Sequence, residues 1–161
     1  MSSGEFVFTP QPLVLNVIIK DSKAEGGRPF KYPEWEIDEL RYRPYISEFY
    51  GPMFEPIKDA LPKYACEFMS SRFIYLSGWR ENDPNRYEAS IRALSRLTAF
   101  IRKNVKEMGE FWYVKQWIST VPEKPEDMVI IEMNVDDLEY AGEEIDSFRF
   151  KVDTFYKFVD K

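Results

Sequence analysis

The chain reads as a single α+β domain over residues 1–161, in which a mainly antiparallel sheet packs in two layers against one long amphipathic helix (about 84–108), with an irregular Pro/aromatic-rich segment (about 29–62). Three observations predict this. Apolar residues recur at helical spacing between Asp83 and Gly109, three later segments carry strand-like apolar or aromatic patterns, and six prolines interrupt the chain between Pro29 and Pro62. Runs of strands beside a dominant helix belong to α+β folds. A chain of 161 residues with 44% hydrophobic and 17% aromatic content can build its own core.

The first strand pieces are Phe6-Val7-Phe8 and Leu13 to Ile19, separated by Pro10 and Pro12 and ended by Lys20-Asp21. A loop follows over Asp21 to Pro29, around Gly26-Gly27. The prolines at 29, 33, 44, 52, 56 and 62 forbid a long helix, because each removes a donor and restricts its predecessor. Phe30, Tyr32, Trp35, Tyr42, Tyr45, Phe49, Tyr50 and Phe54 lie in the same segment and need a surface to cover, either this chain's own sheet or a partner. A short helix is expected within Ile57 to Ser70, from about Pro62 and including Cys66. Arg72 to Leu76 then reads as a strand stopped by Ser77-Gly78.

The helix over 84–108 has the clearest signals. Asp83 suits the N-cap, Pro84 the first helical position and Gly109 the stop. Tyr87, Ile91, Leu94, Thr98, Ile101, Val105 and Met108 form its apolar stripe, widened by Leu97 and Phe100. Three strands are expected to follow. In Glu110 to Thr120, Phe111, Tyr113, Lys115 and Trp117 face one way and Trp112, Val114, Gln116 and Ile118 the other, with both faces covered. In Met128 to Val135, Val129, Ile131, Met133 and Val135 oppose Ile130, Glu132 and Asn134. Ser147 to Val159 alternates too, and a hairpin between the last two would set Arg149 and Lys151 across from Glu132, Asn134 and Asp136.

Chemistry is bounded by an absence. The sequence has no histidine and one cysteine, Cys66. Histidine is the side chain that titrates near neutrality, so His-dependent hydrolases and His-ligated metal sites are excluded, as are disulfides within the chain. No phosphate-binding loop is present, and no catalytic residue, cofactor or metal is assigned. The longest apolar run, Leu13 to Ile19, is interrupted by Asn16 and falls short of the ~20 residues of a membrane helix. The expectation is a cytoplasmic protein with no membrane partner.

Charge is divided unevenly within a net −6. Residues 85–108 carry +4, whereas residues 123–161 carry −7. The run 136–146 contains Asp136, Asp137, Glu139, Glu143, Glu144 and Asp146, a surface suited to a basic protein partner. The function expected is that of a non-catalytic acidic inhibitor or accessory factor. One alternative is a nucleic-acid-binding module using Arg92, Arg96 and Lys103 with exposed aromatics. Others are a structural subunit of a larger, viral assembly and a metal-dependent phosphotransfer enzyme holding Mg²⁺ on Glu132, Asn134 and Asp136.

Overall fold

The computed structural model describes residues 3–13, 17–23, 29–37, 40–43, 50–68, 83–137 and 151–161. They form eight strands: β1 (Ser3–Thr9), β2 (Val17–Lys23), β3 (Pro29–Ile37), β4 (Leu40–Arg43), β5 (Tyr64–Phe68), β6 (Glu110–Trp117), β7 (Val129–Asn134) and β8 (Thr154–Val159). They join in one mixed sheet of order β2-β3-β4-β5-β1-β6-β8-β7. The helix α1 (Pro84–Met108) and a 3₁₀ segment, Gly51–Ala60, accompany it among the described residues.

β6 shows how the sequence organises the two sides. Residues 111–116 are all buried, and their alternation sends neighbouring rings into different cores. Phe111 and Tyr113 pack with Val7, Tyr156 and Phe158 against Phe100, Ile101 and Val105 of α1. Trp112 and Val114 pack with Phe6, Phe8 and Phe155 against Phe54 and Ile57 of the 3₁₀ segment. The two-layer expectation is therefore corrected: the second face is covered as well. Phe54 does much of this, meeting Phe6 and Phe8 edge-on at centroid distances of 4.8 and 5.3 Å.

The helix begins at Pro84 and stops before Gly109, whose φ of +91° is open to glycine without a steric penalty. Its described C-terminal turns bury Phe100, Ile101, Asn104 and Val105 and expose Ala99, Lys103 and Lys106. Asn104 is tolerated inside because its Nδ2 donates to the Phe100 carbonyl at 2.9 Å.

Several expectations are revised. Pro29–Ile37 and Leu40–Arg43 are strands, so the 29–62 segment is not irregular throughout. The described pairs between β3 and β4 run only from Trp35 to Ile37, so among the described residues β4 asks no backbone donor of Pro33. β2 runs on through Lys20-Asp21 to Lys23. The expected helix around Cys66 is β5, paired with both β1 and β4. There Cys66 enters the α1-side core and Ala65 borders the other, a period of two that long-range pairing imposes over weak local propensity.

The last two strands depart furthest. β8 inserts between β6 and β7, antiparallel to the first and parallel to the second. A parallel neighbour requires a crossover, and residues 135–153 supply a connection long enough for one. β8 itself starts only at Thr154, and with a core on each face of the sheet it buries Phe155 and Val159 as well as Tyr156 and Phe158. The expected strand over Arg72 to Leu76 lies outside the described residues.

Candidate functional site

β7 ends the sheet in the described strand order, and it is where carboxylates and apolar groups meet solvent together. The 3₁₀ turn Pro125–Asp127 leads into it with Glu126 and Asp127 exposed. Val129 and Ile130 follow at 55% and 45% exposure, one on each side of the strand. Ile131 and Met133 then turn into the α1-side core, so the alternation expected for this strand orients it as built.

Beyond β7, Asp136 and Asp137 are exposed. The backbone N–H of Asp136 donates to Asn134 Oδ1 at 3.0 Å, and Asn134 Nδ2 donates to the Lys161 carbonyl at 3.1 Å. Asn134 thus turns the chain as it leaves the sheet. Glu139, Glu143, Glu144 and Asp146, the remaining acids of the expected partner surface, lie outside the described residues.

Glu132 is engaged by lysines other than those expected. Because β7 runs parallel to β8, its cross-strand neighbour is Lys157. Lys157 Nζ lies 3.8 Å from Glu132 and 3.7 Å from Glu110, above the Trp112 ring at 5.6 Å. Lys161 Nζ donates to Glu132 Oε2 at 3.0 Å. That hydrogen bond and the charge of Lys161, with a smaller contribution from Lys157, hold the Glu132 carboxyl below its ordinary pKa. Lys151 lies before β8, and Arg149 lies outside the described residues, so the expected ladder of Arg149 and Lys151 against Glu132 is not formed by Lys151. Among the described residues no group of three His, Cys, Asp or Glu side chains is arranged to hold a metal ion.

The basic residues of the alternative site lie on α1. Lys103 is exposed, while the side chains of Arg92 and Arg96 fall outside what the structure describes. The rings of Phe111, Trp112 and Tyr113 are buried, so β6 offers no stacking platform there.

A second polar cluster escaped sequence reasoning. Glu5, Tyr113 and Lys115 are all buried on the α1 side of β1 and β6, with Glu5 directly across from Lys115. Tyr113 Oη donates to Glu5 Oε1 at 2.7 Å. Burial, then the Glu5 charge and this hydrogen bond, push the Tyr113 hydroxyl well above its ordinary pKa. Burial pushes the Lys115 ammonium down, and the Glu5 carboxylate partly counters it. The available signal was a lysine within the aromatic β6 and a carboxylate beside Phe6-Val7-Phe8. The Tyr113–Glu5 hydrogen bond ties β6 to β1 within this cluster. Cys66 lies in the same core, its thiol pushed up to about 12 by burial, the state of an inert cysteine.

Among the described residues no helix is long and apolar enough to cross a membrane. Comparison with models of known protein families, with curated proteins and with solved structures returns no match.

Proposed function

We propose that the protein is a non-catalytic acidic binding protein, an inhibitor or accessory factor. It engages a basic protein partner through the carboxylate-rich region that begins at Asp136 and Asp137. The observation that supports this reading most is the β7 margin, where Val129 and Ile130 stand exposed between Glu126 and Asp127 on one side and Asp136 and Asp137 on the other. Apolar contact flanked by exposed carboxylates suits a partner interface: the apolar pair contributes area removed from water and the carboxylates select and steer a cationic surface. Glu132, already engaged by two lysines, serves the fold before it serves a partner.

The test is affinity capture from the source cell followed by binding measurements between the purified pair. A basic protein should be recovered, its affinity should fall steeply with salt, and the Asp136→Lys/Asp137→Lys double variant should weaken it by about tenfold or more. Ile130→Lys should weaken binding at a cost in folding stability of about 1 kcal/mol or less, because the residue is 45% exposed and a lysine can keep its head group in water. A partner whose affinity ignores both variants would sink the proposal.

The exposed Lys103 keeps a second reading in play, a nucleic-acid-binding module on the basic side of α1, with that helix amphipathic along its whole length and Arg92 and Arg96 beside Lys103. It predicts salt-sensitive retention on single-stranded DNA that Lys103→Glu reduces. Retention unchanged in that variant would remove it.

A further inference from the structure

β7 offers a partner more than side chains. Its residues pair with β8 in unbroken register, from Val129 opposite Thr154 to Asn134 opposite Val159, and among the described residues no strand pairs with its other edge. Alternate residues of a strand turn their N–H and C=O groups to the same edge, so a row of donors and acceptors is presented there. The strand is correspondingly open. Val129, Ile130 and Glu132 are exposed and Ile131, Met133 and Asn134 half-buried, whereas β8 beside it is buried at every position but Lys157.

Sheet edges are ordinarily protected by proline, lysine, a bulge or an uncompensated charge. β7 contains no proline, glycine or lysine, and its register with β8 is free of bulges. Its one charge, Glu132, is engaged by Lys157 and Lys161. By contrast β2, at the opposite end of the described order, carries Lys20, Asp21 and Lys23. The chain around β7 sets the sign of what can approach. Residues 123–137 hold six carboxylates against the single Lys124, and the balance stays negative when Lys157 and Lys161 are added. A second copy of this chain laid along β7 would set acids against acids in either direction, because Glu126 and Asp127 precede the strand and Asp136 and Asp137 follow it.

We propose that the basic partner docks by strand addition: an extended segment of alternating apolar residues, flanked by Lys or Arg, hydrogen-bonds along the free edge of β7. This rests on the reading of the β7 margin as the site of a basic protein and adds the backbone as the recognising element. Main-chain bonds hold the segment in place. Its alternate side chains meet Val129 and Ile131 on one face and Ile130 on the other, and its flanking cations meet the acids at each end of β7.

The probe is a peptide of about ten residues, alternating valine and threonine between paired lysines, titrated into the full-length protein and followed by calorimetry and amide hydrogen exchange. In the free protein the β7 amides that face away from β8 should exchange rapidly, and saturation with the peptide should slow them about tenfold or more. N-methylating every central amide of the peptide keeps its charges and side chains but removes its donors, and should weaken binding about tenfold or more. Replacing the peptide's lysines by glutamates should do the same, as should the Asp136→Lys/Asp137→Lys variant of the protein. Strand addition is overturned, with the basic-partner reading intact, if binding depends on these charges but leaves β7 exchange unchanged or tolerates N-methylation. Binding indifferent to charge on either side overturns both. Lack of saturation at about 1 mM overturns strand addition alone, since the peptide does not represent a folded basic surface. Slow exchange of those amides in the dilute free protein would show the edge already covered by this chain, and slowing only on concentration would show a second copy there. Either result also overturns strand addition.

Discussion

Asp153 fastens the start of β8 to the end of β6. Its φ of +58° is a left-handed conformation that Asp adopts more readily than most residues, and it turns the carboxylate back toward β6. Oδ1 accepts from Gln116 Nε2 at 2.7 Å and from the Trp117 N–H at 3.0 Å, while Oδ2 accepts from Thr120 Oγ1 at 2.8 Å. The Asp153 N–H adds a bond to the Lys115 carbonyl at 2.8 Å. Asp153→Ala removes every acceptor in that set and should cost roughly 2–4 kcal/mol in urea unfolding, with Asp153→Asn losing less because one oxygen remains. Cys66 makes a simpler prediction. With its thiol at about 12 and buried, it should not react with a disulfide reagent at pH 8 until the protein is unfolded. Tyr113 and Lys115 act oppositely on alkaline stability. The raised Tyr113 value contributes stability that is complete below its ordinary 10.0 and is lost as pH rises toward the folded value. The lowered Lys115 value does the reverse: its contribution is complete above 10.5 and is lost as pH falls through the folded value. Tyr113→Phe should therefore cost about 1–3 kcal/mol at pH 7, through the hydrogen bond withdrawn from Glu5, yet lose less stability than the parent between pH 10 and about 11. Melting curves across that range check the sign.

At the scale of elements, the 3₁₀ segment Gly51–Ala60 is a structural layer despite its two prolines. Pro52 falls in its first turn, where a missing N–H is tolerated, and the segment turns Phe54 and Ile57 inward. Phe54→Ala should cost about 3–5 kcal/mol, since it empties a buried ring site and ends two edge-to-face contacts. β1 places a comparable demand on a small residue. A Cβ at Gly4 would come within 2.6 Å of the Phe6 ring, which is itself buried in the core. Gly4→Val should destabilise by about 1–3 kcal/mol, measured by the shift of the urea midpoint at unchanged slope. Pattern reading succeeded for β6 and β7 because a two-residue period assigns faces whatever the neighbour is. It failed for β5, where a five-residue run offers little periodic signal and pairing with β1 and β4 decides the conformation.

Across the whole molecule, a basic helix and an acidic C-terminal third meet within the fold. Lys106 of α1 reaches Asp160 at 3.8 Å, but Glu132 draws its lysines from its own acidic third, Lys157 and Lys161. Asp136 and Asp137 remain on the surface, which is where a basic partner would act. Local chemistry was sufficient to bound α1, between a proline that lacks a donor and a glycine that accepts positive φ, and to exclude histidine chemistry from the chain. It also assigned the faces of β6 and β7, since these follow from backbone periodicity alone. Strand order could not be obtained that way, because the choice of neighbour depends on contacts between residues far apart in the chain. Placing β8 between β6 and β7 made that last pair parallel, moved Lys157 beside Glu132, and buried both sides of a strand whose alternation suggested one wet face. The same long-range packing brought Phe54 onto Phe6 and Phe8 and closed the second core.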